Sequence, residues 1–401
     1  MEFFCVSAMV SAMDEKVKKK LLLIVPRLGL GGQEHMIANV AQIMASDYDV
    51  TVVVFDGRDP AFQVECRLID LSIPAAPGLL RKIKNALLRA YKLRKLKRKE
   101  RFDFCFSTGP TANLVNVLSR GRGMTIIRTS SYTDCEENTV NRFIFRHCDR
   151  IICCAELIRM KLISTYDVPQ EKVFTIYNPL DIHTILEHGN ENVSDYVFSN
   201  HTVVSLGRLD AGKNFPRIIK AFSLVKQEIH DAQLLIIGDG EEKERLEEII
   251  DQLKLQNSVT LLGFRTNPAP YLKRSCVFVQ TTFFDGFPNA LVEGMCFLPV
   301  IAADCKSGPR EILSKGRLDV VCSGIEEADY GILIRPANME ELKQGINKKI
   351  TEDDRLLAAA VLMLLQDEDK REKMKERAAE RVKSFSFERF RDSLVNMLEK
   401  Q

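Results

Sequence analysis

The chain has 401 residues, 45% of them hydrophobic and 28% charged, with a formal net charge of +2. That length exceeds one ordinary core and predicts two domains of roughly 200 residues each. The balanced charge argues against a general nucleic-acid binder, and no run approaches the ~20 apolar residues that span a bilayer. Residues 1–19 read as an extension, with Met13 a second possible start. Its basic cluster, Lys18, Lys19 and Lys20, follows the short apolar run FFCVSAMVSAM, the wrong order for a secretory signal. The first strand candidate, LLLIV (21–25), leads through GLGG (29–32) into an amphipathic helix. Further strand candidates stand at 50–55, 102–107, 124–128, 150–154 and 173–177.

Between the candidates at 50–55 and 102–107, residues 79–101 hold eleven Lys or Arg against one acid, Glu100. About +10 therefore sits in one stretch and about −8 in the remainder. Leu79, Leu80, Ile83, Leu87, Leu88, Tyr91 and Leu96 form an apolar flank beside the cations. The pattern predicts a basic amphipathic helix, which suits an anionic membrane surface and equally suits a solvated helix packed on its own domain.

A polar stretch, EHGNENVSDYVFSN (187–200), interrupts the pattern, which restarts with TVVSLG, QLLIIG, SVTLLG, CVFVQ, PVIAA and YGILI. From Asp353 onward the periodicity is helical, with Ser386 placed to cap the final helix. Continuous apolar strands alternating with helices indicate parallel sheets covered on both faces. The expected fold is thus α/β, two doubly wound Rossmann-like domains facing across a cleft lined by the C-terminal ends of their strands. The boundaries read as 20–190 for the first domain, 191–200 for a linker and 201–380 for the second. Residues 381–401 form a helix packing back across the domains. The eleven cysteines show no C-x-x-C spacing and read as reduced thiols of a cytoplasmic protein. Cys105, Cys153, Cys154 and Cys276 fall in strand-like runs and read as core filling.

Three loops suit phosphate. GLGG offers backbone amides and a helix N-terminus, although a plain strand-to-helix turn explains it as well. With Asp56 placed to hold a ribose, GLGLGG also admits an NAD-dependent oxidoreductase, but the third glycine of that fingerprint falls at Glu34. In GRLDAGKN, Arg208 and Lys213 supply two cations after a strand, a pair suited to a diphosphate. Gly238 and Gly240 in IIGDGEE permit close backbone approach to a ligand, or serve turn chemistry alone.

Asp285 and Glu293 flank Gly-Phe-Pro-Asn in TTFFDGFPNALVEGMCF. Pro288 disfavours helix before it and tolerates a start just after, so Glu293 falls in the first or second helical turn. A carboxylate accepts two hydroxyl hydrogen bonds and so suits a vicinal diol, while dipole complementarity is the bland reading of an early-turn acid.

GLGGQEHM, IYNPLD (176–181), SLGRLDAGKN, LLIIGDGEE, VTLLGF, DGFPNALVEGMCFLPVIAAD and GPREIL stand in this order along the chain. Together they closely resemble family 4 of the retaining glycosyltransferases, a GT-B-fold group with many bacterial polysaccharide and lipopolysaccharide enzymes. The resemblance runs from about Lys20 to the C-terminus and is strongest from Val203 to Leu313. It implies transfer of a hexose from a nucleoside-diphosphate sugar, commonly a UDP-sugar, to a saccharide or polyprenyl-linked acceptor. Asp285 and Glu293 match the family's E-x7-E pair, Glu293 holding the ribose and Asp285 lying near the donor sugar. Arg208 and Lys213 would bind the diphosphate, and Gly31 and Gly32 would admit phosphate or sugar to the backbone. Amides around Phe287, Asn289 and Ala290 would position the donor. No metal or other cofactor is implied, and no nucleic acid. Attachment to the inner face of the cell membrane would run through residues 79–101.

Two departures stand out. The first acid is Asp, and MTIIR is followed by TSSYTD where many relatives carry a histidine. Arg128 and Ser130 are candidates for its contacts. These departures also admit a catalytically idle nucleotide-sugar-binding subunit.

Overall fold

The computed structural model describes residues 17–29, 31–316, 318–338 and 349–400. Residues 1–16 of the expected extension lie outside them. The N-terminal half runs β1 (Lys20–Val25), α1 (Gly32–Met44), β2 (Asp49–Val54), β3 (Arg67–Asp70), α2 (Leu79–Glu100), β4 (Phe104–Thr108), α3 (Pro110–Leu118) and β5 (Met124–Thr129). It continues with α4 (Thr139–His147), β6 (Arg150–Cys153), α5 (Glu156–Tyr166), β7 (Val173–Thr175) and α6 (Ile182–His188). After the polar stretch come β8 (Thr202–Leu206), α7 (Phe215–Glu228), β9 (Gln233–Ile237), α8 (Lys243–Gln252), β10 (Val259–Gly263), α9 (Ala269–Lys273) and β11 (Val277–Gln280). Then follow α10 (Asn289–Met295), β12 (Val300–Ala303), α11 (Pro309–Leu313), β13 (Ile325–Glu327) and β14 (Ile332–Ile334). Three helices close the chain: α12 (Glu352–Gln366), α13 (Glu368–Val382) and α14 (Phe387–Glu399), the last capped by the Ser386 side chain.

Two seven-stranded sheets result, ordered β3-β2-β1-β4-β5-β6-β7 and β10-β9-β8-β11-β12-β14-β13. In both, the chain winds outward from its first strand and then reverses, the doubly wound plan. β1 pairs in parallel with β2 and β4, and β8 with β9 and β11. β1 is central because Leu21 to Val25 are all buried, as a strand covered on both faces requires. β13 departs from the expectation: it lies antiparallel to β14 at the sheet edge. Neither β13 (Ile-Glu-Glu) nor β3 (Arg-Leu-Ile-Asp) is legible in sequence, because a short edge strand exposed to water carries no apolar run.

The chain clusters into two compact units that adjoin in sequence at Ile127 and Arg128. In the first, Leu22, Ile24, Val53 and Phe55 of the sheet region pack with Ala90 and Leu93 of α2 and Val115 of α3. In the second, Val203, Leu234, Ile236, Val277 and Ile301 form one core with Ile218, Phe222 and Val225 of α7 and with Leu357, Val361 and Leu364 of α12. Each of the Val, Leu, Ile and Phe side chains contributes about 1.5–3 kcal/mol by leaving water. An ion pair joins α7 to α12 within this core, Lys220 to Asp354 at 2.9 Å.

The basic helix α2 is held by one narrow face. Leu93 is fully buried, and Lys97 donates from Nζ to Asn116 Oδ1 at 2.6 Å and to the Asn116 carbonyl at 3.1 Å. Burial lowers the Lys97 ammonium to about 8. Leu79, Leu80, Ile83, Leu87, Leu88 and Tyr91 are all exposed, whereas Leu96 packs against the core.

Candidate functional site

Two loops of the second unit interlock where β8 and β11 end. The loop after β8 carries Arg208 and makes a single tight turn over Ala211–Lys213. The loop after β11 binds it twice: Phe283 N–H donates to the Gly212 carbonyl at 2.9 Å, and the Thr281 hydroxyl donates to the Asn214 carbonyl at 2.8 Å. This lacing brings Lys213 Nζ to 2.8 Å from Asp285 Oδ2, joining two candidate residues that lie far apart in sequence. The Asp285 backbone is fixed in turn, because the Ser307 hydroxyl donates to its carbonyl at 2.8 Å. Only one Asp285 oxygen is engaged by a side chain among the described residues. Arg208 behaves differently. Its side chain is 78% exposed and pairs with Asp210 at 2.7 Å, two residues along its own loop.

From Asp285 the chain turns through Gly286, where a Cβ would collide with the Ser130 carbonyl oxygen. Only glycine fits so close a backbone approach. Pro288 precedes α10, and Asn289 is the first helical residue, so Glu293 lies in the second turn. The Phe287 ring is buried 5.5 Å from Tyr177 and 5.2 Å from Phe385, centroid to centroid. Its side chain is therefore structural, and any ligand contact falls to its backbone. Ala290 and Asn289 are both partly exposed.

Glu293 is the least satisfied of the candidate groups. Its carboxyl has no hydrogen-bond or ion-pair partner among the described residues, and burial alone pushes it up to about 7. A desolvated acid without a partner lowers stability and recurs at functional positions.

The remaining candidates divide. The Gly238 N–H donates to the Gly263 carbonyl at 3.0 Å, and a Cβ there would run into the Gly207 carbonyl oxygen. Its lack of a side chain is required by its neighbours in the sheet. Gly31 and Gly32 lie in the first unit, at the start of α1. Glu34 folds back over Gly31, while the space where a Gly32 Cβ would sit is open. Asp56 is held by Arg58 at 2.7 Å and lowered to about 2, chiefly by that hydrogen bond.

Arg128 is 1% exposed, and its guanidinium donates to the Ile176 carbonyl and to Asn178. Ser130 contributes its carbonyl to the close approach of Gly286. Sequence reasoning assigned no role to Asn178 of IYNPLD or to Glu311 of GPREIL. The Glu311 carboxylate accepts the N–H groups of Glu156 at 2.6 Å and Leu157 at 2.8 Å, capping α5 from across the fold. Both residues lie in quoted motifs, but partners more than a hundred positions away leave no local signal.

The glycosyltransferase models account for most of the chain: Glycosyltransferase Family 4 over residues 30–184 and Glycosyl transferases group 1 over residues 198–381. The chain belongs to this glycosyltransferase family. The glycosyltransferase is 28% identical over 359 residues to an enzyme of Campylobacter jejuni, covering 85% of this chain and 92% of that one. That relative is the N-acetylgalactosamine-N,N'-diacetylbacillosaminyl-diphospho-undecaprenol 4-alpha-N-acetylgalactosaminyltransferase. It is also 32% identical over 259 residues to an uncharacterised glycosyltransferase of Methanocaldococcus jannaschii, a match spanning 62% of this chain and 63% of that protein. Its fold is that of Anabaena HepE, solved in complex with UDP, with a TM-score of 0.72 at 18% identity over 94% of this chain and 99% of the other. The expected GT-B fold is the fold observed.

Proposed function

We propose that this glycosyltransferase moves a hexose from a UDP-sugar, with retention of anomeric configuration, to a lipid-linked saccharide in polysaccharide or lipopolysaccharide assembly. The observation that carries the donor assignment is Glu293: a carboxyl raised to about 7 by burial and left without a protein partner. A ribose diol supplies the two hydroxyl donors that such an acid lacks. Asp285, with one oxygen on Lys213 and one to spare, bonds a hydroxyl of the donor sugar. Lys213 and the exposed Arg208 neutralise the departing diphosphate, and amides of Phe287, Asn289 and Ala290 orient it. Gly31, Gly32 and Gly238 enter this reading only through the family resemblance.

In the reaction, the bond from the anomeric carbon to the diphosphate oxygen breaks. The acceptor oxygen bonds the same carbon on the same face, and its proton passes to the leaving diphosphate. No resident metal is needed, because the protein's own cations supply the neutralisation; turnover is expected to persist in chelator. The UDP in HepE and the diphospho-undecaprenol in the Campylobacter enzyme's name support this choice of donor and acceptor.

A lipid-linked acceptor is met at a membrane surface, and in this reading the enzyme works on the cytoplasmic face. No helix among the described residues is long and apolar enough to cross a membrane. α2 supplies the alternative, with Leu80 83% and Tyr91 68% exposed among cations. Flotation with vesicles containing anionic lipid at low salt should carry the enzyme upward, and equal behaviour with neutral vesicles counts against the membrane assignment.

The donor is tested with a panel of nucleotide-sugars, scored by thermal stabilisation and slow hydrolysis, with Glu293→Ala beside the parent. One UDP-sugar should stabilise the parent and fail to stabilise the variant. Equal binding by the two proteins would remove the ribose assignment.

A further inference from the structure

Three polar side chains of the second unit are linked in series, and their chemistry leaves only one orientation for each. Arg128, near the end of β5, is buried and can only donate. Its Nη1 donates to the Ile176 carbonyl at 3.1 Å, and its Nη2 donates to Oδ1 of Asn178. Since a guanidinium accepts nothing, Asn178 must turn its oxygen toward it, and the Asn178 NH2 group is thereby aimed elsewhere. It donates to Oδ1 of Asn289 at 2.8 Å. Asn289 is left with its NH2 group, for which no protein acceptor exists among the described residues. The residue is partly exposed, opens α10 and stands four positions before Glu293, so the two share a helix face.

We infer that Arg128 and Asn178 are positioning residues that lock Asn289 with its NH2 group outward, as a dedicated donor to an oxygen of the bound nucleotide-sugar. The inference rests on the donor site proposed above and adds a specificity determinant to it. The oxygen belongs either to the diphosphate or to a sugar hydroxyl, both of which accept such a bond. Without the relay, an asparagine amide turns over at little cost and offers donor and acceptor alike. With it, the ligand meets a donor only. The buried arginine thus acts on substrate from two side chains away, and its position near the end of β5 gains a role that touches no ligand.

The decisive variant is Asn178→Asp. The new carboxylate still accepts from Arg128, now as an ion pair, but it gives Asn289 an acceptor where a donor stood. Asn289 must then turn its NH2 group inward and present its oxygen to the ligand. Donor affinity, measured by calorimetric titration, should fall roughly tenfold or more, since the hydrogen bond from the outward NH2 group is lost. Asn289→Ala should weaken binding by a similar factor, and adding Asn178→Asp to it should cost nothing further. Arg128→Lys, which keeps a donor facing Asn178, should retain most of the affinity.

A loss for UDP and UDP-sugar alike assigns the oxygen to the diphosphate; a loss confined to the nucleotide-sugar assigns it to the hexose. Unchanged affinity in Asn178→Asp, or equal losses from it with and without the Asn289 side chain, overturns the relay. Should Asn178→Asp fail to fold, Asn289→Asp replaces it: the relay to Asn178 is kept, the outward donor is lost, and parental binding by this variant is equally fatal. Absence of nucleotide-sugar binding by the parent is a different result, which removes the functional reading itself.

Discussion

After β9 the chain turns through Gly238, Asp239 and Gly240, and after β1 it turns through Gly31 and Gly32 into α1. In sequence both are glycine-bearing exits from a buried strand into a helix, and both are candidate phosphate loops. In the fold they are answered differently. At Gly238 the backbone adopts φ of 151°, its N–H is taken by Gly263, and the carbonyl of Gly207 occupies the place of a side chain. At Gly32 no positive φ is required, and beyond its chain neighbours and its own helix backbone no atom of the described residues lies within 4 Å of where a Cβ would be. The first glycine is explained by the protein itself; the second is explained by no neighbour among the described residues. A glycine, an acid or an amide marks a ligand best where the fold has left it unanswered.

The largest effect expected from this contrast is on folding. Gly238→Ala must displace the backbone just after β8, at Gly207, to seat its methyl group. It should lower the unfolding free energy by about 3–5 kcal/mol or prevent folding altogether. Denaturant titration checks it, and a loss under about 1 kcal/mol means that the turn yields and the contrast is false.

Next comes the cation that answers Asp285. Lys213→Ala removes the charge nearest that acid and, on the proposed mechanism, part of the neutralisation of the leaving group. Turnover should fall by ~10²- to 10³-fold, as for other preorganised electrostatic contacts, with little change in stability because the pair is partly exposed. Arg208→Ala, whose side chain is mostly in water, should cost clearly less. Equal losses in the two would make the distinction between the half-buried and the exposed cation meaningless.

Glu293 is the acid the fold leaves unanswered, and its titration has a definite sign. Burial raises it to about 7 from an ordinary 4.5, so between these values the folded protein keeps a proton that the unfolded chain has lost. Stability contributed by this group therefore falls as pH rises through that window. Glu293→Gln should be more stable than the parent by ~1–2 kcal/mol at pH 8, with the difference gone near pH 4. Donor affinity should move oppositely. The parent binds more tightly from pH 6 to pH 8 as the carboxylate forms, while Glu293→Gln binds weakly with a flat profile. A variant no more stable than its parent at pH 8 would show that the acid is already satisfied.

Much of the architecture was legible because each buried strand announces itself as an apolar run, and the sheet order follows from the doubly wound rule. β3 and β13 were not legible, since Arg67, Asp70, Glu326 and Glu327 leave them no such run. Within the site, the types and spacing of Lys213, Asp285 and Glu293 could be read along the chain, but the 2.8 Å contact between the first two could not. Arg128 shows the limit most clearly. In MTIIR this residue invites a substrate contact, whereas in the fold it is Asn178 that receives its hydrogen bond. Backbone clashes are equally silent: Gly31, Gly32, Gly238 and Gly286 are one letter, with four different surroundings.

The smallest effect is the sharpest test of the opening contrast. Gly32→Ala should fold as well as the parent, because the first position of α1 has ordinary φ and open space around it. Alanine also restricts the unfolded chain, so a gain of about 0.5 kcal/mol is expected. If the open space belongs to phosphate or sugar, the same methyl group should weaken binding of the nucleotide-sugar several-fold while stability rises. Measured together, the two numbers separate a ligand-bearing glycine from a turn: a variant that is more stable and binds like its parent would place Gly32 in the same class as any strand-to-helix glycine, and the resemblance that assigns it to the donor would then rest on the second unit alone.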